Sequence, residues 1–188
     1  MKKKVLMSLV LFAMAGLVFA QQATLDKLKF DNFTNANRTK VRVRAANNSI
    51  SGVVVIPDTY NGNPVTQIAE IGFRDCTGIT SVIIPNGVTT INQTAFQRCT
   101  GLTSVTIPAS VTQIGIRAFD SCTNLTSVTF LGANTNITLD NIFPGDLRAK
   151  QRAGGAGTYT RQAGSNTWTK QAGQIPCPHC DGTGFIRN

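Results

Sequence analysis

Between residues 65 and 133 the apolar positions of this chain recur with a strict spacing. Val65, Val88 and Val111 lie 23 residues apart. So do Ile68, Ile91 and Ile114, then Phe73, Phe96 and Phe119, then Cys76, Cys99 and Cys122. Ile79, Leu102 and Leu125 keep the step, as do Val82, Val105 and Val128. A period of this length marks a solenoid, in which each turn buries its apolar face only against its neighbours. Within a unit, Leu102, Val105 and Ile107 interleave with Thr103, Ser104 and Thr106, which predicts a strand with the first set inward and the second outward. Pro85 and Pro108 end their strands, because proline cannot donate to the next ladder bond. Residues 88–91 predict a second short extended segment, and 92–99 a helical turn with Ala95, Phe96 and Cys99 on one face. Gly78, Gly101 or Asn124 follows, all residue types that tolerate the left-handed conformation ending a helix.

The flanks read as caps, needed because an uncovered end turn exposes core and strand edges. Val53 to Pro57 repeats the strand and its proline. Val41-Arg42-Val43-Arg44 alternates apolar and basic residues like an edge strand. Downstream, Asp146 is placed to N-cap a helix from Leu147 to Ala153 that Gly154-Gly155 terminates. The 158–161 and 167–170 segments alternate with period two, which predicts a hairpin with Tyr159 and Trp168 facing across it. The alternative reading there is a Gly/Gln-rich linker.

The first twenty residues have a different pattern. Lys2, Lys3 and Lys4 precede a short apolar run from Val5 to Phe19, and Val18-Phe19-Ala20 offers small residues for cleavage. This is the pattern of an export signal, and the run is too short to favour a membrane span. The division is therefore 1–20 signal peptide, 21–64 N-terminal cap and partial repeat, 65–133 three repeats, 134–175 C-terminal cap and 176–188 tail. Removing three lysines leaves 15 Lys+Arg against 9 Asp+Glu, a net of +6 rather than +9. The basic residues are scattered and the repeats are balanced, so nothing points to nucleic acid.

The pattern AF..C..LTSVTIP..VT.I, carried by Ala95-Phe96, Cys99, 102–108 and 111–114, resembles the BspA-like leucine-rich repeat of bacterial and protist surface and secreted proteins. The resemblance covers about residues 50–133. In phrasing it extends to 145–170, which is similar to the tails of spirochaete members. It implies a strand-dominated α/β fold: a leucine-rich-repeat solenoid with a parallel sheet, short helical turns and β caps at both ends. It also implies adhesion or binding to a protein, a host-matrix or cell-envelope component, from a secreted, cell-surface or periplasmic position. It implies no enzymatic activity. A purely structural role in the envelope is a further alternative.

The outward strand positions form ladders that are the candidate binding face: Thr80, Thr103 and Thr126; Ser81, Ser104 and Ser127; Ile83, Thr106 and Thr129. Contact energy concentrates on Trp, Tyr and Arg, so Tyr159 and Trp168 are added as binding candidates. Tyr60, Arg74, Arg98 and Arg117 are further anchors on corners or caps. The three repeat cysteines sit beside the buried phenylalanines, stack along the axis and behave as small apolar side chains rather than disulfide partners. The tail differs: Cys177-Pro-His-Cys180-Asp-Gly-Thr-Gly184 resembles one arm of the zinc domain of J-domain co-chaperones. Cys177, Cys180 and His179 could hold zinc alone or by joining two copies into a homodimer, although the fold requires no cofactor. The CPHC tetrapeptide is also similar to the active site of periplasmic thiol oxidants, while a structural disulfide is the plain alternative. The second functional reading is thus a metal-binding or thiol-redox tail on a repeat scaffold. His179 is the only histidine, so no other acid–base or nucleophilic site can be assembled from it.

Overall fold

The computed structural model describes residues 26–35, 38–133, 135 and 141–172, with the backbone of the two short strands Ile175–Pro176 and Phe185–Ile186. Residues 1–20, expected to be a signal peptide, and the cysteines at 177 and 180 lie outside the described residues.

Alternation of apolar and polar residues in short runs makes a coil of strands. β1 (Leu28–Asn35) and β2 (Arg38–Ala45) form an antiparallel hairpin. Then come β3 (Ser51–Val55), β4 (Thr59–Tyr60), β5 (Asn63–Ile68), β6 (Gly78–Ile83), β7 (Thr90–Ile91), β8 (Ser104–Ile107), β9 (Gln113–Ile114) and β10 (Ser127–Phe130). The chain closes with a helix α1 (Leu147–Gly154), β11 (Gly157–Thr160), β12 (Thr169–Lys170) and the paired β13 (Ile175–Pro176) and β14 (Phe185–Ile186). One sheet runs β1-β2-β5-β7-β9, with β4 on β5, and the other runs β12-β11-β10-β8-β6-β3. The coil strands are parallel to their counterparts in the next turn, with Ser104 beside both Ser81 and Ser127. Identical residues therefore meet one turn apart, which is what the 23-residue step demands.

The core lies between the two sheets. Val65, Ile68, Phe73, Ile79 and their counterparts in the next turns are buried. The phenylalanines stack in a column, Phe73 on Phe96 at 5.0 Å, Phe96 on Phe119 at 5.1 Å and Phe119 on Phe143 at 4.9 Å. Phe143 is 24 residues beyond Phe119, so one extra residue hides this fourth step from the strict period. Phe119 N–H donates to Ile142 O at 2.7 Å, as Phe96 N–H does to Ala118 O in the turn before.

Five local expectations are corrected. The 92–99 corner is not a helical turn: it is a run of tight turns whose alternate N–H groups bond locally or to the next coil. Ile71, Thr94 and Arg117, and Asp75, Arg98 and Ser121, all have φ between 52° and 60°. Two left-handed residues per repeat reverse the chain there, and cross-coil bonds such as Thr94 N–H to Ile116 O hold them. Gly78, Gly101 and Asn124, by contrast, are not left-handed. Gly101 is glycine because a Cβ would lie 2.3 Å from Thr77 O. β2 is interior, between β1 and β5, with Val41 and Val43 buried and Arg42 and Arg44 outward. Asp146 makes no side-chain cap bond to α1; its Oδ1 accepts the Trp168 N–H at 2.8 Å instead. The hairpin forms two residues out of the expected register: Tyr159 faces Lys170 rather than Trp168, and Thr160 faces Thr169.

Candidate functional site

The outward face of the second sheet carries two rows of side chains. The first is Val53, Ser81, Ser104, Ser127, Thr160 and Thr169, neighbours on successive strands. The second begins Val55 and Ile83 and ends Thr106, Thr129 and Thr158. The face is thus apolar at the N-terminal end and hydroxylic toward the C-terminal end. Val53, Ile83 and Val55 are 56%, 53% and 37% exposed. The repeat ladder alone reveals only the three middle strands; β3 and β11 join because they keep the same register against β6 and β10.

Thr80, Thr103 and Thr106 are exposed, and Ser81, Ser104, Thr126 and Ser127 are half-buried. The first column partly serves the coil itself. Thr103 Oγ1 donates to Thr80 O at 3.1 Å and Thr126 Oγ1 to Thr103 O at 3.3 Å. Thr129 is buried and shares a 2.9 Å hydroxyl contact with Thr158, because β11 lies across it.

Tyr159 and Trp168 are not contact anchors. Both are buried, at 0% and 1% exposure, and close the end of the core. Tyr159 Oη donates to Gly155 O and Trp168 Nε1 to Pro144 O. Tyr60 stacks on Phe30 at 4.0 Å, half-buried. Arg74 and Arg98 both reach Asp75, at 3.3 and 3.8 Å, and Arg117 is exposed. A cleft of about 320 Å³ opens on the same corner, among Arg44, Asn47, Asn48, Glu70, Ile71 and Arg74.

Sequence reasoning missed Arg161, because nothing local distinguishes it from any other basic residue. It is 9% exposed, and its guanidinium donates to Leu125 O at 2.7 Å, Cys122 O at 3.1 Å, Thr123 O at 3.2 Å and Ser165 O. It also lies 5.1 Å from the centre of the Trp168 ring. It supplies donors to the last coil on the side where β11, rather than a further repeat strand, follows β10; burial lowers its pKa below the usual arginine value.

The repeat cysteines are free and buried. Cys99 Sγ donates to Phe73 O at 3.0 Å and Cys122 Sγ to Phe96 O at 3.1 Å, so each thiol ties one coil to the one before. Burial, then the neighbouring Cys99 and Asp75, push Cys76 up to about 12. A hydrogen bond with Cys122, then burial, push Cys99 up as well. Neutral thiols of this kind are poor nucleophiles and metal ligands. Among the described residues no group of three or more His, Cys, Asp or Glu is placed to hold a metal ion. No described helix is long and apolar enough to cross a membrane. Cys177, His179 and Cys180 lie outside the described residues, between the paired strands β13 and β14.

A family model for the BspA type leucine rich repeat region (6 copies) matches residues 54–145, a span of 92 residues or four 23-residue steps. Residues 54–145 belong to the BspA-type leucine-rich repeats. The BspA-type span takes in Phe143, the irregular fourth step of the phenylalanine column. The chain is similar to a leucine-rich repeat protein from Bacteroides ovatus, at 25% identity over 63% of this chain and 37% of that one, with a TM-score of 0.49. A leucine rich cell surface protein from Faecalibacterium prausnitzii is 32% identical over 54% of this chain and 30% of its own, with a TM-score of 0.43. The pneumococcal vaccine antigen PcpA is 21% identical over 58% of this chain and 37% of its own, with a TM-score of 0.40. This chain therefore spans well under two thirds of the length of each of these three. No curated protein matches it.

Proposed function

We propose that this BspA-type repeat protein is an exported module that binds another protein by surface contact, without turnover, at or outside the bacterial cell surface. The partner class is a host-matrix or cell-envelope protein. The observation that carries the reading is the outward sheet face, where small hydroxyl and apolar side chains stand in continuous register on six strands. Such a face excludes little, so an opposing surface can approach closely, and unpaired hydroxyls there can donate and accept. It lacks exposed Trp, Tyr and Arg anchors, so a single contact is expected to be weak, with Kd about 1–100 μM. The basic leader and apolar run at 1–20 support export.

The test is capture of cross-linked partners from envelope and matrix extracts by the parent protein and by a Ser104→Arg/Thr106→Arg variant. Both positions are outward, so the fold tolerates the change while the face is blocked. Loss of capture is expected; equal capture by the variant overturns the sheet-face reading. The tail supports a second reading, since pairing of β13 with β14 brings the ends of the CxxCxGxG segment together. There the function is zinc or thiol chemistry at Cys177, His179 and Cys180, and removal of 176–188 abolishes it while leaving sheet-face capture intact.

A further inference from the structure

We infer that the open edge of β3 is an acceptor for one extended, uncharged strand of a partner protein. Four observations converge on it.

β3 ends its sheet, with β6 as its strand partner. Ile56 N–H donates to Ile83 O at 3.1 Å. By strand alternation Val54 also faces β6, and Val53 and Val55 turn their N–H and C=O groups to the open side. Edge groups of this kind are a template for another strand.

The side chains beside this edge are those of a contact, not of a solvated surface. Val53, Val55 and Ile83 are three of the four exposed large apolar residues among the described residues. Edges are normally guarded by charge or proline. Here residues 45–57 carry no charge in a basic chain, and the Gly52/Val53 irregularity and Pro57 interrupt only the two ends.

The shape admits one strand. β2 and β3 belong to the same coil, and β1 stands one strand further out on the other sheet. The N-terminal end is therefore a step, with β1 filling one side of the next layer and the β3 side empty among the described residues. A second copy pairing through its own β3 would bring its β2 into the layer that β1 occupies, so self-pairing is blocked.

The chain's own N-terminus is too short to fill the step, a point that rests on the export reading above. Leu28 is opposite Ala45, and Ala46 N–H donates to Lys27 O, so β1 is entered at the corner that leads to β3. The adjacent coil uses residues 46–50, five residues, to round that corner. Counting back five from Leu28 reaches Ala23, which leaves Gln21 and Gln22 for an edge of five residues. The occupant is therefore another protein's strand, recognised by main-chain bonds and by small apolar residues on the side of Val53 and Val55.

The probe is a soluble synthetic peptide of alternating valine and threonine with a terminal lysine, titrated into the purified full protein. Amide exchange at Val53 and Val55 and sedimentation are measured alongside. Saturable binding that slows both amides about tenfold or more is expected. A Val53→Lys/Val55→Lys variant, exposed at both positions, should melt like the parent and lose about tenfold or more in affinity. The inference is overturned by absence of binding, by equal binding of the variant, or by Val53 and Val55 amides already protected in the isolated protein. It is also overturned by a sedimenting dimer in which those amides are protected. The mass of the exported product separates the two readings: a retained leader refutes export, while the exchange data still report on the edge.

Discussion

Replacing Arg161 with methionine removes four donors from the end of the solenoid while keeping most of the side-chain volume. In the parent, the guanidinium bonds Leu125 O, Cys122 O, Thr123 O and Ser165 O. Cys122 O retains the Leu125 N–H at 3.1 Å, and Ser165 is partly exposed and can turn to water. Thr123 is exposed, so its carbonyl can also turn to water, and the carbonyl of the buried Leu125 is the group left without a partner. Such a group costs about 1–3 kcal/mol. Against this, methionine needs no desolvation, and burying an arginine costs several kcal/mol before its bonds are counted. Set against that release, the one unpaired carbonyl leaves a net expected loss of about 1 kcal/mol. For a domain of this size that lowers Tm by about 2–4 °C. The loss should be local at first, with amide exchange accelerating in β10 and β11 before β6. Arg161→Lys should fall between, because an ammonium on a flexible stem cannot match the fork. Thermal melts of the three proteins with exchange data make the assay. An Arg161→Met protein melting within about a degree of the parent would refute the claim that this residue terminates the coil.

Other consequences are equally open to measurement. Phe96→Ala should cost about 3–5 kcal/mol in denaturant unfolding, since its ring is stacked on both faces and leaves a cavity inside the column; an unchanged midpoint would sink the repeat register. Gly101→Ala should destabilise the fold by at least about 1–3 kcal/mol, because the new methyl meets the backbone of Thr77, which has no flexible end to yield. The cysteines make stability fall at alkaline pH. Cys76 rises from 9.0 to about 12 on folding, so below pH 9 both states hold the proton and this thiol adds no slope. Between pH 9 and about 12 the unfolded chain releases it while the folded chain retains it, and unfolding is favoured; Cys76→Ala should flatten that part of the stability–pH curve.

Much of the fold is legible in the sequence because each coil repeats the same physical problem. A side chain at Val65, Ile68 or Phe73 must be apolar for the same reason as its counterpart 23 residues on, so the period reports the inward face without reference to any partner. The alternation at 102–107 likewise decides which side chains of a strand face out. The repeat cysteines divide off in the same way: a thiol recurring beside a phenylalanine reads as a core group, and all three are buried. Where the pattern changes, local reasoning loses its footing. Phe143 escapes because one inserted residue shifts it to 24, although in space it stacks like the others.

What only the tertiary structure decided concerns ends, edges and corners. The left-handed residues at Ile71, Thr94 and Arg117 have no common side-chain chemistry; bonds to the next coil hold Ile71 and Thr94, and the local sequence does not encode those bonds. Tyr159 and Trp168 read as surface aromatics, and they are buried because the last coil needs a lid, with Arg161 completing it. Val53 and Val55 read as one more strand of the repeat, and become a candidate site only because β3 is the last strand of its sheet. The sequence by itself determined the repeat, its inward face and its hydroxyl ladder, since each coil states those locally. Which of those residues remain at the surface was settled by how the coil begins and stops, because exposure there depends on whether a neighbouring strand exists.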